Sequence, residues 1–205
     1  GSTSTFDTTG EEMEGIGTSP TAFDTNGPLT VSKDVDIGSA FIEVLARGDL
    51  GGITLGFEYI PGDAEIGAKS RTDADNGDAS GEADTGTYEG KAEISGHKSI
   101  YIEPTFYPIE RLGIYLKGGV SQVTVDSIES ISIGTDDSAY GEEEIYGAMY
   151  GIGIRAVLGP GFLIKTEYQK TDYETVELQS TTGNQNKIDA DPSLESVMFS
   201  VGYKF

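Results

Sequence analysis

Nine residues at the C-terminal end constrain this chain more than any other feature. Val197, Phe199, Val201, Tyr203 and Phe205 alternate with Met198, Ser200, Gly202 and Lys204. A period of two puts one set on each face of an extended strand, and one of those faces is wholly apolar. The pattern recurs. Tyr146, Ala148, Tyr150, Ile152, Ile154, Ala156 and Leu158 alternate with residues that include Gly147, Gly151, Gly153 and Arg155. Leu112, Ile114 and Leu116 alternate with Gly113, Tyr115 and Lys117; Ile100, Ile102 and Phe106 with Tyr101, Glu103 and Thr105. Ile53, Leu55, Phe57 and Tyr59 alternate with Thr54, Gly56 and Glu58, and Phe162, Ile164 and Tyr168 with Leu163, Lys165 and Glu167. Ala40, Ile42, Val44 and Ala46 against Phe41, Glu43 and Leu45 are the weakest case. These segments run about 9–14 residues, longer than the usual soluble strand and suited to a tilted crossing of a bilayer.

The connections alternate as well. Arg47-Gly48-Asp49-Leu50, Pro108-Ile109-Glu110-Arg111 and Gly159-Pro160-Gly161 are tight, and the intervening connections are long and acidic. The net charge is −22, from 35 acids against 13 bases. That imbalance excludes a nucleic-acid partner, which needs a basic footprint. The acids crowd into four blocks: seven in 1–36, nine in 62–96, seven in 126–144 and six in 171–195. No cysteine is present, so no disulfide forms. No run of 18 apolar residues exists, which excludes a membrane helix.

A soluble acidic β-sandwich would hide the apolar face. It would also place few tyrosines there, yet Tyr59, Tyr146, Tyr168 and Tyr203 sit near segment ends on that face, as an interfacial aromatic belt requires. Lipid demands that every backbone group be paired within the protein, and a closed antiparallel barrel achieves this. Its lumen must then balance its charges. The inner set holds Glu43, Glu58, Glu103 and Glu167 against Lys117, Arg155, Lys165 and Lys204, four acids facing four bases. Glycine at Gly147, Gly151 and Gly153 leaves space for larger lumen side chains opposite. The expected fold is all-β, a closed antiparallel up-and-down transmembrane β-barrel in one domain spanning 1–205.

On these residues the chain resembles small bacterial outer-membrane β-barrels of the OmpA transmembrane-domain and Opa type. The ending Val197-Met198-Phe199-Ser200-Val201-Gly202-Tyr203-Lys204-Phe205 resembles their C-terminal assembly signal. The resemblance implies that Val201, Tyr203 and Phe205 are read by the barrel assembly machinery. It also implies eight strands, surrounding outer-membrane lipid, and location in the outer membrane of a Gram-negative bacterium. Seven strands are readable, at about 37–47, 52–60, 97–107, 112–125, 145–158, 161–172 and 194–205. An even count requires one more, outward-running and ahead of residue 37. Residues 1–36 show no alternation, so they are expected to be mostly extracellular loop, with the first strand outside the sequence or a poor strand at its very start. Residues 62–96, 126–144 and 171–193 are the other expected extracellular loops.

Two groups of residues invite chemistry. His97, the single histidine, stands two residues from Ser99 with Glu103 on the same face. The spacing is that of an acyl-transfer site, and a small family of outer-membrane lipid A deacylases carries a similar His-x-Ser pair. Catalysis needs a base–nucleophile contact and an oxyanion hole, which spacing does not supply, so no enzyme is expected. Asp73, Asp75, Asp78 and Glu82 resemble a calcium loop, but Gly77 and Asp78 are reversed relative to an EF-hand. A solvated acidic loop is the stronger reading, with weak Ca2+ binding as the alternative and no other cofactor. Eight strands enclose a space that side chains fill. The expected role is therefore a surface protein: a barrel anchor displaying acidic loops to a surface partner or to further copies of itself. A narrow porin-like channel is the alternative, and a lipid-modifying enzyme comes third.

Overall fold

In a computed structural model the described residues are 2–15, 23–73, 86–131, 139–181 and 187–205. They form one antiparallel sheet of eleven strands. In chain order these are β1 (Ser2–Gly15), β2 (Phe23–Ile37), β3 (Ala40–Arg47), β4 (Gly51–Tyr59), β5 (Asp63–Asp73), β6 (Gly86–Ile109), β7 (Leu112–Ile131), β8 (Ala139–Leu158), β9 (Phe162–Tyr173), β10 (Val176–Gln179) and β11 (Lys187–Tyr203). The hydrogen-bonded order is β2-β1-β11-β9-β8-β7-β6-β4-β3, with β10 also on β11 and β5 also on β6. Sequence neighbours pair with each other for most of the way round, which is the up-and-down plan.

Two expectations need correcting. Residues 1–36, expected as loop, contain β1 and most of β2, 62–96 contain β5 and the start of β6, 126–144 contain the end of β7 and the start of β8, and 171–193 contain the end of β9, all of β10 and the start of β11. The strands are also longer than the alternation suggests: β6 has 24 residues and β7 and β8 have 20 each. About half that length crosses a bilayer. The sheet thus has a turn half, next to the tight connections, and a far half beyond it.

The expected ring is not closed by hydrogen bonds. Its end members, β2 and β3, are successive pieces of one run, separated only by Gly38 and Ser39. In the far half β2 pairs with β1, and in the turn half β3 pairs with β4. The far half is bridged across β2 and β5 by side chains: Lys33 forms an ion pair with Glu65, and a Cβ at Gly67 would meet Val31 at 3.3 Å. In the turn half β3 and β11 face each other without a ladder between them.

Along the strands that run through both halves the two faces exchange character. In the turn half the outward residues are apolar, with Leu116 61% exposed, and Ile102, Ile152, Phe199 and Leu55 are likewise exposed. Lys117, Glu58, Glu103 and Arg155 are buried within. In the far half the inward residues are Phe6, Ile66, Ile94, Val123, Val125, Ile145, Tyr173, Val176, Leu178 and Leu194, a contiguous apolar cluster. Their outward neighbours Glu142, Glu144, Asp172 and Asp191 are exposed. The exchange comes at Lys98/Ile100 on β6, Val120/Gln122 on β7, Glu144/Tyr146 on β8, Tyr168/Lys170 on β9 and Glu195/Val197 on β11. A surface exposing apolar side chains round the turn half belongs against hydrocarbon.

Candidate functional site: the packed interior

Seven of the eight side chains expected in the lumen meet inside the turn half. β8 brings Arg155 inward, where its guanidinium pairs with Glu43 of β3 at 2.9 Å and with Glu103 of β6. Its other terminal nitrogen donates to the Thr54 hydroxyl at 2.7 Å. Lys165 of β9 lies 2.5 Å from Glu43, 2.8 Å from Glu103 and 3.7 Å from Glu167. Lys117 of β7 pairs with Glu167 at 2.8 Å and Glu58 at 3.6 Å, and donates to Gln169 at 3.1 Å. Glu103, at 0% exposure, is the deepest acid. Charges taken from water this completely persist only when partners satisfy them, and each cation here has at least two carboxylates.

Lys204 is the exception and corrects the expected four-against-four balance. Its parity is that of the inner face, but β11 ends at Tyr203, and Lys204 is exposed, its N–H donating to the Gly161 carbonyl at 2.8 Å. Parity cannot place a side chain once the strand has stopped.

Sequence reasoning passed over two members of the network. Tyr101 donates to Glu43 at 2.9 Å and Tyr115 to Glu167 at 2.6 Å. Their rings also receive the cations: Lys117 lies 4.1 Å from the Tyr101 centroid and Lys165 5.0 Å from that of Tyr115. The signal was present, since both alternate with apolar neighbours on the inner face. Space for them comes from glycine. A Cβ at Gly56 would sit 2.3 Å from the Tyr101 ring, and one at Gly153 would sit 2.4 Å from that of Tyr115.

Above this network lies a layer of small polar groups. Ser99 and Ser121 share a hydrogen bond of 2.8 Å, as do Ser4 and Ser196. His97 is buried here, edge-on to Tyr173 with centroids 6.4 Å apart. Neither ring nitrogen has a hydrogen-bond partner among the described residues. Burial, reinforced by the Lys117 charge, brings the imidazole down to about 4, so it is neutral at pH 7. Ser99 is engaged by Ser121 rather than by His97, and both are enclosed, so the pair lacks the base–nucleophile contact of an acyl-transfer site. The apolar cluster of the far half caps this layer.

Of the acids expected to bind calcium, Asp73 is the last residue of β5, while Asp75, Asp78 and Glu82 lie outside the described residues. Among the described residues no group of three or more His, Cys, Asp or Glu is placed to hold a metal ion. Val201 and Tyr203 of the expected assembly signal are exposed on the outer face of β11, and Phe205 follows at its end, its ring edge-on to Tyr203.

The geometry defines a small β-protein with a lipid-suited belt and a filled interior. Among solved structures the chain is similar to Ail, the attachment invasion locus protein of Yersinia pestis, at a TM-score of 0.36 and 13% identity, over 96% of this chain and 97% of that one. It is also similar to Neisserial surface protein A, at a TM-score of 0.33 and 10% identity, over 96% and 98%. No protein-family description matches the sequence. No curated protein matches it either.

Proposed function

We propose that this protein is a non-conducting surface anchor in the outer membrane of a Gram-negative bacterium. Bridging the interruptions at 38–39, 60–62 and 174–175 joins the eleven strands into eight runs, the smallest even count usual for such barrels. One observation carries the reading: the faces exchange polarity half-way along the strands. The turn half is apolar outside and charged inside, as lipid requires, and the far half is polar outside and apolar inside, as water requires. The far half is thus a rigid pedestal standing clear of the membrane.

The same interior supports anchoring over transport. A solute would have to part the ion-pair network and then the apolar cluster. The outward face of the pedestal and the acidic connections give the exposed end a strongly negative field, which suits a cationic partner surface. The assembly machinery would read Val201, Tyr203 and Phe205 from the outer face of β11.

The chain has no Trp, so single-Trp variants test the placement cleanly. In vesicles containing brominated lipid, Leu116→Trp is expected to be strongly quenched and Val123→Trp unquenched. Equal quenching of both overturns the membrane placement. In a planar bilayer the protein is expected to pass no steady current, whereas stable unitary conductance favours the narrow channel.

A further inference from the structure

The outer line at which the faces exchange carries two lysines in contrasting surroundings. On β9, Lys170 is neutralised: it lies 3.3 Å from Glu195 and 3.5 Å from Asp172, and its side chain is 29% exposed. On β6 the corresponding cation is Lys98. It is exposed, and among the described residues its side chain makes no ion pair or hydrogen bond. That is unexpected in a chain with 35 acids against 13 bases. A bulge turns Lys98 outward. Ile94 and His97 both face inward although three residues separate them, because the β6–β7 register shifts between Ser95 and Lys98, with Gly96 at a φ of 63°. The ladders then set Lys98 level with Tyr59 on one side and Gln122 on the other, and Tyr146 level with Gln122. The side chains of Tyr59, Gln122 and Tyr146 also make no hydrogen bond among the described residues. The next row towards the tight turns is Phe57, Ile100, Val120 and Ala148, joined by the same ladders and exposed throughout. A row of free donors thus stands directly above a row of apolar side chains.

We propose that Tyr59, Lys98 and Gln122 form a binding site for the phosphate of a membrane lipid headgroup. The site rests on the membrane placement above. Where an apolar belt ends, hydrocarbon gives way to headgroups, so lipid phosphates lie level with this row. Neighbouring strands are about 4.8 Å apart, which lets the Tyr59 hydroxyl, the Lys98 ammonium and the Gln122 amide meet on one anion. All three can donate, and the ammonium adds charge. The phosphate takes the place that Asp172 and Glu195 fill beside Lys170. Lipid is the occupant that position and charge both select. A free anion approaching a chain of net charge −22 meets a repulsive field. A lipid phosphate is held at this level by its acyl chains, which lie along Phe57, Ile100 and Val120.

The test uses the whole protein in micelles of a sugar-headgroup detergent, which contains no phosphate, titrated with phosphatidic acid. The amide NMR signals of Tyr59, Lys98 and Gln122 are expected to shift and to saturate at equimolar stoichiometry. Lys98→Gln is expected to weaken binding by about fivefold, the effect of one lysine near a charged membrane surface. Lys98→Arg is expected to retain it, and Lys170→Gln, which removes a cation already neutralised, to leave it unchanged. Equal weakening by Lys98→Gln and Lys170→Gln would mean attraction to overall charge alone and would overturn the site. Shifts that never saturate would do the same. Saturation at the same concentration of inorganic phosphate would overturn the lipid as occupant. Failure of the site and failure of the membrane placement are read separately. Leu116→Trp quenched by brominated lipid, together with no saturable shift, overturns the site alone; Leu116→Trp unquenched overturns both. The titration of the unsubstituted protein carries the test even where a variant fails to fold.

Discussion

The two halves of this molecule solve the same packing problem with opposite chemistry. On β7, Leu116 faces out and Lys117 faces in, while six residues further along Gln122 faces out and Val123 faces in, 1% exposed. The strand does not turn over between them; the same parity points inward throughout. What changes is the solvent. Next to hydrocarbon, the inside can be polar provided every charge is matched. Next to water, the outside must be polar and the inside gains by excluding it. A barrel wall is therefore indifferent to which face is apolar, and its surroundings select the pattern. The far half derives its strength from non-directional packing, the turn half from a few well-aligned pairs, and the two should fail differently.

The sharpest contrast comes from Arg155. Arg155→Met removes the shared partner of Glu43 and Glu103 and leaves the latter more weakly compensated in the interior. A loss of about 3–5 kcal/mol is expected, read as a lower urea midpoint of the protein refolded in micelles. A loss under about 1 kcal/mol, the worth of an ordinary exposed pair, would show that the network is dispensable. The outer face gives the next effect. Leu116→Lys should cost about 2–4 kcal/mol in lipid and Gln122→Lys about 0–1, measured by unfolding from vesicles. Equal costs would erase the boundary between the halves.

The third prediction concerns pH at the junction. His97 is neutral in the fold, with a pKa of about 4 against an ordinary 6.5. A depressed value means that the unfolded chain takes the proton first. The contribution is complete above pH 6.5, falls as the pH drops below that, and is lost by about pH 4. The span of the shift amounts to about 3 kcal/mol. Measured against His97→Leu, the protein should lose about 3 kcal/mol of relative stability as pH falls through this window. Parallel curves would mean that the imidazole is hydrated. The smallest effect is expected from Gly153→Ala, which pushes a Cβ against Tyr115 and the Thr166 carbonyl at 2.8 Å. Overpacking of this kind costs about 1–3 kcal/mol, and an unchanged urea midpoint would show that the Tyr115 ring moves aside freely.

The alternation that marks Leu112–Val120, Tyr146–Leu158 and Val197–Tyr203 is visible because lipid imposes it on every residue pair. The far half of the same strands is harder to read for a physical reason. Where the solvent changes, apolar residues move to the opposite parity, so β7 reads as ending near Val125 although it continues to Ile131. Irregular pairing then scrambles what parity remains, at Gly10/Glu12 against β2, Glu65/Gly67 against β6 and Ser95/Lys98 against β7. β1 has a further disguise: its inward positions Ser2, Ser4 and Phe6 lie opposite outward Thr3 and Thr5, which shows no apolar stripe.

Within an uninterrupted run a two-residue period leaves no freedom, so in the turn half the order of amino acids alone dictated which side chains share a face and that the inner charges would need matching. Which carboxylate meets which cation was left to the assembled sheet. Arg155 reaches Glu43 and Thr54 across separations of 112 and 101 residues, and only strand stagger sets that meeting. Assembly also settled where β11 stops, leaving Lys204 outside. Both depend on long-range register, a relation between strands that no single strand contains.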